Sequence, residues 1–238
     1  MSKIQIPSLL EMLKSGVHFG HQTAKWHPKM KEFIYGSRAG VHIIDLEKTR
    51  ASLEKALGFI KEIAAAGGVV LFVSLKEQSH TIVREAAISC SMPYITERWL
   101  GGVFTNFSVI VKLLRRLDQL EGEKTRGEWE KYSKKEQLDK QKDFDKLNDS
   151  VGGIRTLTKL PQVVFLIGTR EGKHAIRESV KAKVPVVAVV DSNTNPKMVD
   201  YIIPANDDAL HSIQMIVGLV AEAVKEGKDV ASAPVVKA

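Results

Sequence analysis

The segment from residue 17 to residue 40 carries the side chains with the clearest chemical potential. Its centre reads Lys25-Trp26-His27-Pro28-Lys29-Met30-Lys31, and Arg38 follows. Lysine and arginine bind phosphate oxygens, and an indole ring stacks on an exposed base. The four cations and His27 therefore favour contact with a nucleic-acid backbone. Trp26 fits two roles equally well, stacking on RNA or anchoring the loop to the core.

A second aromatic and basic group is Arg98-Trp99-Leu-Gly-Gly102. Its two glycines allow another chain to approach closely. Both RNA and the base of an inserted hairpin fit the role of this approaching chain, and the sequence pattern does not distinguish between them. The predicted RNA-binding residues are Lys25, Trp26, His27, Lys29, Lys31, Arg38, Arg98 and Trp99.

Three histidines and the single cysteine raise the question of a metal site. Zinc needs three or four converging ligands, usually at compact spacing. Only His18 and His21 form a His-x-x-His pair, and Cys90 falls on the apolar stripe of a predicted helix. Histidines near a phosphate backbone and a packed cysteine explain the pattern better, so we predict no metal site.

The best enzymatic candidate is Gly168-Thr-Arg-Glu-Gly172-Lys173-His174, between a predicted strand and a helix. A phosphate-binding P-loop needs four residues between its glycines and a hydroxyl after the lysine. This segment has three residues there and a histidine after the lysine, which favours an ordinary turn with a basic rim. The loop 191–196 and the pair Asp207-Asp208 are typical of turns and helix caps. We predict no catalytic residue, no cofactor and no small-molecule substrate.

Composition supports a basic protein with a large core. The 238 residues are 44% hydrophobic and carry a formal net charge of +7. Residues 1–50 hold eight Lys/Arg against four Asp/Glu, which is the strongest basic excess in the chain. A basic balance favours polyanionic partners. With one cysteine and no hydrophobic signal core at the start, we expect a soluble, cytoplasmic protein without a membrane partner.

Short apolar runs alternate with segments whose apolar residues recur at helical spacing along most of the chain. The predicted strands are 41–46, 69–74, 94–96, 163–167, 186–190 and 201–203, and residues 17–40 are expected to form an ordered loop. Repeated strand and helix units predict an α/β fold with a doubly wound, mostly parallel sheet and helices on both faces. Ser8 and Glu11 have the spacing of a capping box before the first helix.

The 47 residues from Asn106 to Gly152 are too many for an ordinary connection in such a fold. Ile110, Leu113, Leu117 and Leu120 have coiled-coil spacing, and Gly122 to Gly127 break it. A second apolar seam at 144, 147 and 151, with Leu138 near it, predicts an antiparallel coiled-coil hairpin. The α/β domain then comprises 1–105 and 153–227, the hairpin 106–152, and a flexible C-terminal tail 228–238.

Several segments together resemble the bacterial-type small-subunit ribosomal protein S2 family. They occur in the family's order and cover nearly the whole chain: Gly16-Val-His-Phe-Gly-His-Gln22, Trp26-His-Pro-Lys-Met30, Val41 to Thr49, Arg98 to Gly102 with Thr105-Asn106, Val151-Gly-Gly-Ile154, Leu160-Pro161 and Ile203 to Ala209. The hairpin also lies where the family has its coiled-coil insertion.

The resemblance implies a three-layer α/β/α fold of the flavodoxin-like type and a structural, non-enzymatic role in translation. It implies binding to small-subunit rRNA between the head and body of the particle. It also implies neighbouring ribosomal proteins as partners, including the mRNA-capturing protein built from repeated OB folds. Two alternatives remain from the residues themselves: an enzyme that binds a phosphate ligand through Lys173, and a protein-docking scaffold with incidental charge.

Overall fold

The computed structural model describes residues 4–232 and contains two sheets with helices around them. The strands are β1 (Phe19–Gln22), β2 (Ile34–Arg38), β3 (Val41–Ile44), β4 (Val70–Ser74), β5 (Tyr94–Ile95), β6 (Val163–Ile167), β7 (Val186–Val190) and β8 (Tyr201–Pro204). The α-helices are α1 (Leu9–Lys14), α2 (Leu46–Ala65), α3 (His80–Ser89), α4 (Phe107–Thr125), α5 (Lys134–Val151), α6 (Lys173–Ala182) and α7 (Leu210–Ser232).

The larger sheet has the order β5-β4-β6-β7-β8, and every neighbouring pair is parallel. Counted along the chain this is the order 2-1-3-4-5, which is that of flavodoxin-like folds. Every residue of the three central strands β4, β6 and β7 is buried. Strands covered on both faces are expected to be apolar, as these are except for Ser74 at the end of β4. The predicted α/β fold with a parallel sheet is confirmed.

Two hydrophobic clusters lie on the two faces of this sheet. Alternate residues of β4 divide between them, with Phe72 in one cluster and Leu71 in the other. The first cluster takes buried residues of α2, α3 and α7, and the second takes those of α6 and the base of α4. Phe72 and Phe165 meet edge to face, with ring centroids 5.6 Å apart. The layers are therefore helix, sheet and helix, as expected.

The smaller sheet was not predicted. Strands β1, β3 and β2 pair antiparallel in that order, and two of them lie inside the segment expected to be a loop. The predicted strand at 41–46 exists as β3, but it joins this sheet rather than the parallel one. These strands are only four or five residues long and mostly half-exposed or exposed, so they leave no apolar period to detect.

The insertion forms two helices, α4 and α5, that contact each other along their length. Ile110, Leu117 and Leu120 are buried as expected, but Leu114 is more buried than the predicted Leu113. The prediction for Leu138 is wrong, since 62% of it is exposed. Helix α4 also continues past Gly122 to Thr125. The description of the pair as a coiled coil stays a prediction.

A helix lies near each end of the described chain, α1 from Leu9 and α7 to Ser232. The capping box is confirmed, because Glu11 N donates to Ser8 Oγ (3.3 Å) and Ser8 N donates to Glu11 Oε2 (2.7 Å). Helix α7 continues to Ser232, beyond the predicted start of a tail at residue 228, and residues 233–238 lie outside the described part. In residues 4–232 no helix is both long and apolar enough to cross a bilayer.

Gly153 allows a test of how the insertion returns to the sheet. A Cβ there would lie 2.3 Å from the Tyr94 carbonyl oxygen and 2.7 Å from its ring. We expect Gly153→Ala to lower the free energy of unfolding by about 1–3 kcal/mol, because the backbone must shift. Urea unfolding measures this.

Gly101→Ala is the matched control, since a Cβ at Gly101 would meet nothing within 4 Å. It should change stability by no more than about 0.5 kcal/mol. Equal effects of the two substitutions would show that the contact with Tyr94 is not what requires glycine.

Candidate nucleic-acid interface

The basic side chains of the N-terminal segment are presented on turns and a strand end. Lys25 ends a short 3-10 turn, Lys29 and Lys31 lie in a second one, and Arg38 ends β2. All four side chains are exposed, and none has a hydrogen bond or ion pair with another described residue. Met30, between the lysines, is fully buried and fixes the turn to the domain. The four charges are therefore open to an outside anion.

Trp26 and His27 lie partly inside this segment. The Trp26 ring is half-buried and packs 5.1 Å from the His42 ring. His27 N donates to the Ser192 carbonyl oxygen at 2.8 Å, and His27 Nδ1 accepts from Lys29 N at 3.2 Å. Both residues thus help to hold the segment, which supports the anchoring role for Trp26. Contact of either residue with RNA stays a prediction.

Arg98 and Trp99 separate in the structure. Arg98 is exposed, whereas Trp99 is only 7% exposed and packs edge to face on Phe104. The Trp99 indole N–H donates to Glu178 Oε1 at 3.1 Å. RNA contact by Trp99 stays a prediction that this burial disfavours, because the ring faces the protein. The alternative role, support for the base of the insertion, agrees with its position before α4.

Glu178 of α6 was not predicted to have a role, because no local pattern distinguishes it from other glutamates. Its carboxylate accepts from the backbone amides of Gly102 (2.8 Å) and Phe104 (3.0 Å) as well as from Trp99. Partial burial alone would raise the pKa of Glu178, but these donors lower it below its usual value. One ionised side chain of α6 therefore fixes the loop that leads into the insertion.

A charged cluster lies at the carboxyl edge of the parallel sheet. His21 Nδ1 is 3.1 Å from Asp191 Oδ2, and His21 Nε2 is 3.3 Å from Asp208 Oδ2. Lys76 Nζ lies 2.5 Å from Asp207 Oδ1 and 2.8 Å from Asp208 Oδ1. The expectation that Asp207 and Asp208 act as helix caps is wrong, because their carboxylates bind Lys76. Asn206 Oδ1 accepts from the amides of Asp208 (2.9 Å) and Ala209 (3.2 Å), in the turn just before α7.

The cluster changes the protonation of its members. The hydrogen bond to Asp191 raises the pKa of His21 above its ordinary value. Burial, together with the charge of Asp191, raises the pKa of Asp207 to about 7. Burial alone would lower the pKa of Lys76, but the two carboxylates more than offset this and raise it. The site is therefore a structural charge network at neutral pH.

The histidines and cysteine considered for metal binding are not brought together. In residues 4–232, the group of three ligands with suitable spacing is His21, Asp191 and Asp208, whose ligand atoms lie within 4.8 Å of one another. Both imidazole nitrogens of His21 face carboxylates there. Cys90 is buried in the core, and burial raises the pKa of its thiol to about 11. Such a thiol stays protonated and is a poor ligand.

The glycine loop that resembled a P-loop is a turn into α6. Gly168 follows β6 with a positive φ of 76°, and Lys173 is the exposed first residue of the helix. Glycine is favoured at such a φ because it has no Cβ. The loop after β7 is held by a turn bond from Thr194 N to the Asp191 carbonyl oxygen (3.3 Å), and Thr169 Oγ1 of the first loop bonds Thr194 Oγ1 at 3.0 Å. Both loops have the local geometry expected of turns.

The charge network predicts a pH dependence of stability. His21 and Asp207 bind protons more tightly in the folded chain than in the unfolded one, so their contribution is full at low pH and lost as pH rises through their raised pKa values. The contribution of Asp207 to the free energy of unfolding should fall from about pH 4 to about pH 7, and that of His21 should fall as the pH rises above about 6.5. Urea titrations should show a shallower fall for His21→Gln. His211→Gln, at an exposed position, is the control and should show the same dependence of the free energy of unfolding on pH as the native protein. If His21→Gln also shows the native pH dependence, the linkage is contradicted.

Glu178→Gln should weaken the loop before α4. An amide side chain loses the charge that strengthens each accepted bond, so we expect about 1.5–3 kcal/mol less stability. Backbone amide exchange at Gly102 and Phe104 should also speed up, which NMR can measure. Glu171→Gln, at an exposed position on the neighbouring turn, is the control. Unchanged exchange at both amides in Glu178→Gln would show that the loop does not depend on this carboxylate.

Comparison with known proteins agrees with the fold and with the sequence resemblance. A sequence model of the family described as ribosomal protein S2 matches residues 12–227. The small ribosomal subunit protein uS2 of Shewanella halifaxensis is 47% identical over 221 residues, covering 93% of this chain and 91% of that protein. The uS2 protein of Shewanella piezotolerans is 46% identical over 222 residues, covering 93% and 92%. The chain therefore belongs to the ribosomal protein S2 family.

Proposed function

We propose that this protein is a structural constituent of the small ribosomal subunit, that it binds small-subunit rRNA, and that it catalyses no reaction. Its relatives are named as small-subunit ribosomal proteins, which supports an assignment to the cytoplasmic ribosome and to translation. The match spans more than nine-tenths of this chain and of each relative, so the whole chain contributes to the same role.

The main observation that supports RNA binding is the set of four exposed cations in the N-terminal segment. Lys25, Lys29, Lys31 and Arg38 are exposed and have no carboxylate partner among the described residues. Cations left unpaired on a rigid frame bind phosphates without first breaking internal ion pairs. Each phosphate contact also releases counterions from the RNA, which favours binding at moderate salt. Their role is electrostatic and positional.

The partner protein with repeated OB folds requires a different kind of surface. An open groove of about 500 Å³ lies between α1 and the strands of the small sheet. Its lining includes Leu10, Leu13 and Tyr35, which are 61%, 50% and 81% exposed. Exposed apolar patches of this kind are typical of protein contacts rather than of phosphate contacts. We propose that protein partners dock at this groove, and that the chain occupies the junction of head and body.

Replacing Lys25, Lys29, Lys31 and Arg38 with glutamine tests RNA binding. Association with small subunits stripped of their own copy should weaken, and its salt dependence should flatten. The slope of log affinity against log salt should fall by roughly 3, because each phosphate contact contributes about 0.7 to 0.9. Co-sedimentation over a salt series measures both quantities.

A control variant removes the same charge elsewhere. Lys55, Lys159, Lys181 and Lys225 are exposed lysines on other parts of the α/β domain. Their replacement with glutamine should leave the slope nearly unchanged. If the N-terminal variant keeps the slope of the native protein, RNA binding by this segment is wrong.

The two alternative functions give different results. A phosphate-ligand enzyme using Lys173 requires saturable nucleotide binding, which titration calorimetry detects. A pure docking scaffold requires protein partners to bind the chain while isolated small-subunit rRNA does not. Binding to isolated rRNA that weakens with salt supports the proposal against both.

A further inference from the structure

Three cations form one face of α4, well away from the N-terminal segment. Lys112, Arg115 and Arg116 are spaced by three and four residues, so they lie together on the helix surface. They lie opposite the buried seam that includes Ile110 and Leu117. All three side chains are exposed, and none has a hydrogen bond or ion pair with another described residue. We call this surface the α4 basic face.

Three other cations in or next to the insertion, Arg126, Lys140 and Arg155, are already paired within the protein. Lys140 of α5 reaches back to Glu123 of α4 at 2.9 Å. Arg155, after α5, binds Glu121 at 2.6 Å, and Arg126 binds Glu128 at 2.6 Å. Glu121 and Glu123 are thereby turned towards α5 and the chain that follows it. These two carboxylates therefore do not neutralise the positive charge of the α4 basic face.

Neighbouring charges distinguish α4 from α5. Within three or four residues of the α4 cations the only acid is Asp118, which forms no ion pair among the described residues. On α5, each of the exposed Lys135, Lys142 and Lys146 has an aspartate three or four residues away. Opposite charges at these spacings are neighbours on a helix surface. The outer face of α5 is therefore nearly neutral, and that of α4 is not.

We infer that the α4 basic face binds the phosphate backbone of small-subunit rRNA as a second contact surface. The inference rests on the proposed function and adds to it a site on the insertion. Two arginines and a lysine on one rigid face offer many donors at fixed spacing, which suits phosphate oxygens. With three cations and the single acid Asp118 nearby, the face keeps a positive excess that attracts a polyanion. The insertion would then contribute binding as well as shape.

The variant Lys112→Gln, Arg115→Gln, Arg116→Gln tests this face in the full-length protein. The probe is the small ribosomal subunit stripped of its own copy. Affinity should fall, and the salt slope should decrease by roughly 2 to 3, because three phosphate contacts are lost. Glutamine keeps the helix propensity close to that of lysine and arginine, so the fold should persist, and circular dichroism checks this.

The matched control is Lys135→Gln, Lys142→Gln, Lys146→Gln, which removes the same charge from the other helix. It should leave the slope unchanged. An equal loss in both variants would mean that only net charge matters and would overturn the inference. Weaker binding with an unchanged slope in the α4 variant would indicate a protein contact and would also overturn it.

Failure of the inference and failure of the proposed function remain distinguishable. If the N-terminal four-site variant loses its slope while the α4 variant binds like the native protein, only the α4 face is wrong. If the native protein shows no salt-dependent binding to stripped subunits, the proposed function is wrong and the inference falls with it.

Discussion

Two buried carboxylates at the carboxyl edge of the parallel sheet determine how the rest of the molecule is arranged. Asp191 is fully buried and Asp207 is 1% exposed. A buried carboxylate costs several kcal/mol unless cations and hydrogen bonds compensate it. Lys76, in the loop after β4, compensates Asp207, and His21 at the end of β1 compensates Asp191. Docking of the small sheet at this edge therefore gives the buried Asp191 its imidazole partner.

This requirement has a geometric consequence for the basic segment. Ser192, next to Asp191, binds the segment twice, through His21 N to its Oγ and His27 N to its carbonyl oxygen, both at 2.8 Å. The approach is so close that a Cβ on Gly20 would lie 2.8 Å from Ser192 Oγ. The cations that follow are thus held by the domain edge rather than by a free loop. Fixed charges lose less conformational entropy on binding than mobile ones.

The sequence predicted the parallel sheet far better than the features around its edge. The strands 163–167 and 186–190 were predicted to the residue, since a fully buried strand is an uninterrupted apolar run between turns. Of the small sheet only β3 has such a signal, because β1 and β2 are short and half-exposed or exposed. The charge network was missed for another reason. His21 and Asp191 are far apart in sequence, and nothing local in Asp207-Asp208 distinguishes a helix cap from a partner for Lys76.

The insertion shows why a sum of charges is a poor guide to a surface. Residues 112–149 contain eleven basic and ten acidic side chains, and that near-balance indicates a neutral arm. The fold sorts these charges, because Glu121 and Glu123 turn towards Arg155 and Lys140 and satisfy cations there. Lys112, Arg115 and Arg116 of α4 then face outwards with Asp118 as the one acid within three or four residues of them. The electrostatic potential near a surface depends on how opposite charges are distributed there rather than on the net charge of the segment, because salt screens charges beyond about 8–10 Å. A polyanion close to α4 would therefore encounter a cationic surface on an insertion whose net charge is almost zero.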